Sequence, residues 1–412
     1  MHPHTHTTDI LILGAGIGGY ETFRTLAKLF RRYGIRKKIT LVDRNNYFTF
    51  TPMLHEAATG SVEPDHCAIA IRELVAGTGH QFVKAKIERI DPKKRLVRTD
   101  QGEINYETVV VALGSTMNYF GVPGAARHTY HVRTLAAAMR LQRDVIAALE
   151  RCSTQDLTVT IVGGAYTGVE LAGQFSDLMW RDVKKLYPGV NVRLRLVQSG
   201  PVLLPDLPER VQRVAREKLA AEGVEILVNS RASEVRPHLL VLADGRQLTS
   251  DFIVWTAGFA NIAECFLEKQ HCERGRVPVN QHLHHTRFPS LYAVGDIALV
   301  MDPQSGAHYP QLGEAAHKEG QYAARHIVAA ILGRSRRPFR FRSAGTFLPL
   351  GSWFGVAIIG RIVFFGRLAW FIRRTAYVLF LPGAMRKVKI IIDWTLHRMS
   401  HRYVVDIGEN QL

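Results

Sequence analysis

Two stretches of this chain, "DILILGAGIGGYE" at residues 9–21 and "TVTIVGGAYTGVELAG" at 158–173, share one pattern: an apolar strand, a glycine turn and a helix that opens on small residues. The pattern predicts an α/β chain in which a strand–turn–helix unit occurs twice. In the first unit the turn Gly14-Ala15-Gly16-Ile17-Gly18-Gly19 leads into a helix from about Ile17 to Tyr33, and the next strand, "KITLVD", ends at Asp43. Glycines allow the tight turn and a close approach of backbone to ligand. The helix N-terminus attracts a pyrophosphate, and an acid at the end of the second strand suits ribose hydroxyls. The acid comes late because the helix and its "RRYGIRKK" exit are long. A strand–helix turn of purely structural purpose is the alternative.

The second unit repeats the pattern with Gly163 and Gly168 at the first and last glycine positions, Glu170 in the helix, "VRLRLVQ" as the next strand and "DFIVWTAGFAN" closing the unit. Between these landmarks "RLVRTDQGEINYETVVVALGS" and "RPHLLVLADGRQLTSDFIVWTAG" resemble one another, each a hairpin running into a strand that ends in a small-residue turn. The apolar strand of "HTRFPSLYAVGDIALV" then stops at Gly295-Asp296, and a helix follows from about Gln311 to Leu332. The predicted organisation is two nested Rossmann-like domains: 9–120 and 258–335 form the first, 121–257 is inserted as the second, and 336–412 is a C-terminal region. "GVPGA" at 121–125 reads as the hinge.

Charge singles out that last region. Residues 336–412 carry 13 Arg and Lys against 3 Asp and Glu, more than half of the chain's net +17, among many Trp, Phe, Leu and Ile. Basic charge interleaved with large apolar side chains fits an anionic membrane surface rather than nucleic acid. Pro349 and several glycines interrupt the uncharged run 343–360, and Arg361, Arg367, Arg373 and Arg374 break later candidates for a spanning helix. In "MRKVKIIIDWTLHRMSHR", Val388, Ile391, Ile392, Thr395 and Met399 recur at helical spacing, with Arg386, Lys387, Lys389 and Arg398 around them. An amphipathic anchor lying in the membrane surface is the expectation; a tail packed on a second copy of the chain is the alternative. The four cysteines, at 67, 152, 265 and 272, form no CxxC pair, and a reducing compartment is the simpler reading. "MHPHTHTTD" lacks the apolar core of a secretory signal, and its His2, His4 and His6 read as a tail rather than a metal site.

The combination of "NYFTFTPMLHEAATGSV", "IRELV", "VVVALGS", "GVELAG", "WTAG", "LYAVGD", "AHKEG" and "LAWFIRRTAYVLFLPGAMRKVK" resembles the type II NADH dehydrogenases, single-subunit NADH:quinone oxidoreductases of the flavoprotein disulfide reductase superfamily. The resemblance implies FAD at the first turn (Gly14, Gly16, Gly19, Asp43, with Gly114 and Asp296 toward the flavin) and NAD(P)H at the second (Gly163, Gly168, Gln198). It also implies hydride transfer to flavin and on to a membrane quinone without proton pumping, at the cytoplasmic face of a cell membrane. It makes Glu170, Glu314 and Lys318 the candidate catalytic residues.

The departures from the family pattern are specific. Ala165 stands at the middle glycine, where its methyl would push a pyrophosphate outward, and Tyr166 replaces a proline. Gln198 replaces an acid; a neutral amide does not repel a 2′-phosphate, so NADPH becomes admissible beside NADH. Glu314 and Lys318 occupy the place of a glutamine pair, and at i, i+4 they either line the acceptor tunnel or form an ion pair on a solvated helix face. Glu170 either orients and protonates the acceptor or steadies its helix dipole. His317 reads as a helix-surface histidine. Two other functions share the fold: a redox sensor or scaffold with impaired turnover, and a sulfide:quinone oxidoreductase, which needs a redox cysteine pair that Cys265 and Cys272 match poorly.

Overall fold

The computed structural model describes residues 6–151, 156–380 and 387–392. His2, His4, Cys152, Arg386, Trp394, Thr395, Arg398 and Met399 lie outside them. The chain divides into two compact units, one from Met1–Phe50, Ala68–Thr116 and Phe259–Ser343, the other from Thr51–Cys67, Met117–Gly258 and Ala344–Leu412. Two segments therefore belong elsewhere than the sequence reading put them. Thr51–Cys67 clusters with the second unit, and the region after 343 joins that unit instead of standing apart.

The first unit is built on a seven-stranded sheet. Strands Gln81–Lys84, Ile39–Asp43, His6–Leu13 and Gly102–Val111 run parallel in that order. Leu96–Thr99 and Ile87–Asp91 extend the sheet antiparallel, and Leu291–Ala293 pairs parallel with the end of Gly102–Val111. The inner strands are apolar on both faces because both faces are covered: Ile10 through Leu13 are each 1% exposed or less. Helix Ile17–Tyr33 packs on helix Gly313–Ile331, and a Cβ at Gly320 would stand 2.4 Å from Gly18 O, so the two backbones meet with no side chain between them. The first strand starts at His6, three residues earlier than expected, where His6–Thr8 pair with Ile104–Tyr106.

The second unit has a four-stranded parallel sheet in the order Val224–Leu227, Val192–Val197, Leu157–Val162, Phe252–Trp255. A three-stranded meander, Ala232–Arg236, Leu239–Leu242 and Gln247–Thr249, accompanies it. The two similar segments noted in the sequence diverge here. In the first unit the hairpin runs unbroken into the ten-residue strand Gly102–Val111. In the second, Ser250 and Asp251 interrupt it, the Asp251 carboxylate accepting Thr158 N–H at 2.8 Å. "GVPGA" is not a hinge: Pro123 O accepts Val235 N–H at 2.9 Å, and a Cβ at Gly124 would lie 1.9 Å from Val235 O. Strands Thr346–Pro349, Gly355–Ile359 and Ile362–Phe365 and the turn between the first two contribute Leu348, Leu350 and Val356 to the same core as Val169 and Phe175, which explains why the late chain belongs to this unit.

Helix Gly366–Phe380 completes the second unit and is turned inside out. It buries Ala369, Trp370 and Arg373, with Trp370 stacked on Trp353 at 4.5 Å between ring centres. Three of its large apolar side chains face outward: Leu368 is 58% exposed, Phe371 52% and Leu379 69%. Residues 387–392 are helical and expose Val388, Ile391 and Ile392 while burying Ile390. No helix among the described residues is long and apolar enough to cross a membrane.

Candidate dinucleotide sites and a buried carboxyl network

The two glycine turns have the same construction. Gly14 at φ 94° and Gly163 at φ 116° occupy a region that side chains resist, and a Cβ there would come within 2.5 Å of Ala112 O or 2.8 Å of Ala257 N. A Cβ at Gly19 would lie 1.8 Å from Gly14 O, and at Gly168 1.7 Å from Gly163 O. Each helix is thereby drawn onto its own turn. The first intrahelical bonds also match, Tyr20 N–H to Gly16 O at 2.9 Å and Val169 N–H to Ala165 O at 3.0 Å. The amides of the first turn of each helix point forward without intrahelical partners, as an anion requires.

Ala165 does not disturb this. Its φ, ψ of −85°, −168° is the extended conformation that Gly16 adopts at −71°, −171°, which any residue takes without strain. A Cβ at Gly16 would find no protein atom within 4 Å, and Ala165 is exposed. Both positions face open room of the kind a pyrophosphate fills. The expected outward push by Ala165 thus concerns one methyl against a ligand and not the loop itself.

The ends of the second strands match as well. Asp43 Oδ2 accepts Ala15 N–H at 2.7 Å, its Oδ1 accepts Asn45 N–H at 2.8 Å, and burial pushes its carboxyl above the usual aspartate range against the pull of those two donors. Gln198 takes the same place: its Oε1 accepts Gly164 N–H at 3.0 Å and its Nε2 donates to Val202 O at 3.2 Å. An amide performs here the loop-fixing bond that a carboxylate performs in the first unit.

Further along the first unit, Gly114 sits at φ 70° with open space where a Cβ would go. Asp296 follows Gly295 in a single 3-10 turn, and its Oδ2 accepts the Ser115 hydroxyl at 2.6 Å. Its carbonyl accepts Arg276 Nε and Gln311 Nε2 at 3.1 and 2.9 Å. Buried Glu319 fixes this turn by accepting Gly295 N–H at 2.6 Å. Burial lifts its carboxyl to about 7, opposed by that N–H and by Arg276. Ser115, Arg276 and Glu319 were not singled out in the sequence, although Glu319 lies inside the quoted "AHKEG".

Glu314 and Lys318 do form their i, i+4 ion pair at 2.7 Å. Lys318 also donates to Arg342 O, and Glu314 accepts the Ser343 hydroxyl at 2.8 Å, so the pair ties the 342–343 segment to the helix and is not merely solvated. His317 is half-buried and not a surface residue: its Nδ1 lies 3.4 Å from buried Glu21, and Gln321 Nε2 is 3.0 Å from its Nε2.

A cluster of buried charged groups in the second unit surrounds Glu170, on helix Tyr166–Asp177. Burial raises its carboxyl to about 8, against the pull of Arg373 and with a further push from Glu56. That favours the protonated form at neutral pH, and 14% of the side chain remains exposed. His55 Nδ1 lies 3.6 Å from Glu170 Oε2. Burial, then Arg373, depress the imidazole to about 3, so it is neutral and its 3.7 Å approach to Glu56 is no ion pair. Arg373 Nη2 donates to His55 Nε2 at 3.3 Å, which leaves the ring proton on Nδ1, facing Glu170. Glu56 is the true counter-ion: Arg373 Nη2 meets its Oε1 at 2.5 Å. Burial pushes the carboxyl up, but Arg373 and then His55 outweigh it and hold the group at about 2. Tyr377 lies under the guanidinium, 4.5 Å from ring centre to Cζ. Sequence reading found Glu170 alone; "HE" in "LHEAATG" and an arginine inside an apolar run were the only signals of the rest.

Residues 8–320 match the family model described as pyridine nucleotide-disulphide oxidoreductase. A type II NADH:quinone oxidoreductase of Staphylococcus aureus is 26% identical over 375 residues, covering 89% of this chain and 93% of that protein. The fold is similar to that of NDH2 from Plasmodium falciparum, solved in complex with NADH, with a TM-score of 0.86 at 18% identity over 97% of this chain and 99% of that one. It is also similar to the sulfide:quinone oxidoreductase of Aquifex aeolicus, with a TM-score of 0.74 at 19% identity over 90% and 91% of the two chains. Because the family match takes in both glycine turns and the Gly295-Asp296 turn that follows them, the chain belongs to the pyridine nucleotide-disulphide oxidoreductases.

Proposed function

We propose that this chain is an FAD-dependent NADH:quinone oxidoreductase that works on a membrane surface, at its cytoplasmic face, without pumping protons. The observation that carries the reading is Glu170, an uncharged carboxyl on the helix that opens at the second dinucleotide turn. NADH, one proton and quinone give NAD⁺ and quinol. The hydride brings two electrons and one proton, so an acid has to provide the other proton. The chemistry a bound FAD would supply is two-electron redox exchange between the nicotinamide and the quinone. Gly14, Gly16 and Gly19 hold the pyrophosphate of FAD, Asp43 its ribose, and Gly114 and Asp296 the flavin end. Gly163, Gly168 and Gln198 hold NADH. Glu170 keeps a proton for the acceptor, with His55 and Arg373 fixing its surroundings. Glu314 and Lys318 hold the 342–343 segment beside the acceptor path. The S. aureus relative, whose name states NADH and quinone, supports this assignment. So do the cysteines: Cys67, Cys265 and Cys272 are unbridged and offer no disulphide as acceptor among the described residues. With both second-strand acceptors in place, the departures at Ala165 and Gln198 give no ground for an inactive sensor.

Anaerobic titration tests the reading. NADH should bleach the flavin of the purified protein, and a quinone should restore its colour. Release of FMN, or reduced flavin that quinone leaves untouched, would refute it.

Gln198 sets the nucleotide preference on this reading. Gln198→Glu should raise the ratio of kcat/KM for NADH over NADPH by about one to two decades, since a carboxylate repels a 2′-phosphate. The same change leaves Val202 O without its donor, at a cost of about 1 kcal/mol in stability. An unmoved ratio would place Gln198 away from the ribose.

Membrane attachment resides in the outward apolar residues of helix Gly366–Phe380 and of 387–392, supported by Lys387 and Lys389. Leu368, Phe371 and Leu379 are more than half exposed, so each gains about 1 kcal/mol on entering lipid. Replacing all three by glutamine should weaken vesicle binding about a hundredfold while leaving flavin content intact. High salt should weaken binding of the parent without abolishing it, because screening removes only the charge contribution. Unchanged flotation of the triple variant with vesicles would assign that face another purpose.

A further inference from the structure

A groove of about 570 Å³ lies in the first unit between helix Gly313–Ile331 and the extended segment 336–340. From the helix come Lys318, Tyr322 and Arg325, spaced i, i+4, i+7 and therefore on one face. From the segment come Arg336, Arg337 and Arg340. No acidic residue lines it. Lys318 is neutralised by Glu314, but among the described residues none of the four arginines has a carboxylate partner. The floor is rigid. Tyr322 donates its hydroxyl to Arg337 O at 2.7 Å and meets buried Phe339 edge-on at 5.3 Å, while the Arg336 guanidinium stands 5.6 Å over the Tyr322 ring. Four exposed arginines thus line one concavity from two elements joined by the Tyr322–Arg337 hydrogen bond.

We propose that this groove binds an anion carrying two or more phosphate groups. Like charges gathered without counter-ions repel, and a bound anion turns that repulsion into attraction. The planar fork of arginine matches phosphate oxygens two at a time, which a lysine cluster does not do. One phosphate cannot engage four forks arriving from two sides, whereas a volume of this size takes a ligand with several phosphate groups. Such groups occur in a phospholipid headgroup with two phosphates and in a soluble polyphosphate. The groove shares no lining residue with either dinucleotide turn, and its occupation is independent of whether the chain reduces quinone.

The test uses the full-length flavin-loaded chain and three probes: tripolyphosphate, inorganic phosphate, and vesicles of phosphatidylcholine with or without a diphosphate lipid. Calorimetry should find tripolyphosphate bound at least tenfold more tightly than phosphate. The variant Arg325→Gln, Arg336→Gln, Arg337→Gln should lose at least tenfold in affinity for tripolyphosphate, for the diphosphate lipid, or for both. Loss in the lipid arm alone names a headgroup, and loss in the soluble arm alone names a free polyphosphate. Arg325→Glu, a single change at an exposed position, gives the same direction should the triple variant lose its flavin. Activity with a short soluble quinone should stay at the parent value. Equal binding of parent and variants to every probe, or equal affinity for phosphate and tripolyphosphate, overturns the proposal.

Discussion

Glu170→Gln should cut quinone reduction by about 10²- to 10⁴-fold while NADH still reduces the flavin, because glutamine keeps the shape of the side chain and carries no transferable proton. The pH dependence gives the second readout. In the parent the carboxyl is protonated below about 8, so turnover should fall as pH rises through that value, and the Gln variant should lack this limb. Stability moves in the same sense. The unfolded carboxyl gives up its proton near 4.5 while the folded one keeps it to about 8, so the native state loses stability progressively between those values as pH rises. The variant should be free of that loss. Stopped-flow traces of flavin reduction and reoxidation across pH 6 to 9 separate the two half-reactions. A reoxidation rate within about threefold of the parent would remove Glu170 from the proton path.

Arg373→Met should destabilise the second unit strongly. It leaves the Glu56 carboxylate, 3% exposed, without its cation, and breaking a buried pair from one side costs about 3–5 kcal/mol. That is a large part of the roughly 5–15 kcal/mol that holds a domain together. The double variant Glu56→Gln, Arg373→Met should recover part of the loss, since no carboxylate is then stranded, while Arg374 loses the attraction of Glu56. Acid provides a further check: Glu56 is held at about 2 against an ordinary 4.5, so its contribution is present above 4.5 and disappears as pH falls toward 2. Urea unfolding measures all three proteins. A single variant as stable as the parent, or a double variant no better than the single, would contradict this account.

The parts of this molecule that could be read from sequence are those written in short range. Asp43 was legible because a strand, a turn and a helix fix how far along the chain the second strand must end, and Gln198 followed from the same spacing in the second unit. Hydrophobic continuity marked the inner strands, since burial on both faces leaves few polar positions, such as Thr40 and Thr160. The network around Glu170 was not legible, because 317 residues separate Arg373 from Glu56 and no periodicity links them. An arginine in an apolar helix reads as a break in a membrane-facing stripe, and here it is the buried side of a helix whose apolar side faces out. The hinge reading of "GVPGA" failed for a related reason: glycine and proline mark a turn, but the bond from Val235 that pins it comes from a strand over a hundred residues later.

The twin turns also determine where this chain is free to change over evolutionary time. At Gly19 and Gly168 the space is taken up by the molecule's own carbonyls, so a substitution there would be rejected by the fold before any ligand arrived. Gly16 and Ala165 stand in open room at an ordinary extended φ, so a substitution there is invisible to the fold and felt only by whatever binds. Nucleotide affinity can therefore drift by single residues, as at Ala165, while the scaffold is inherited unchanged.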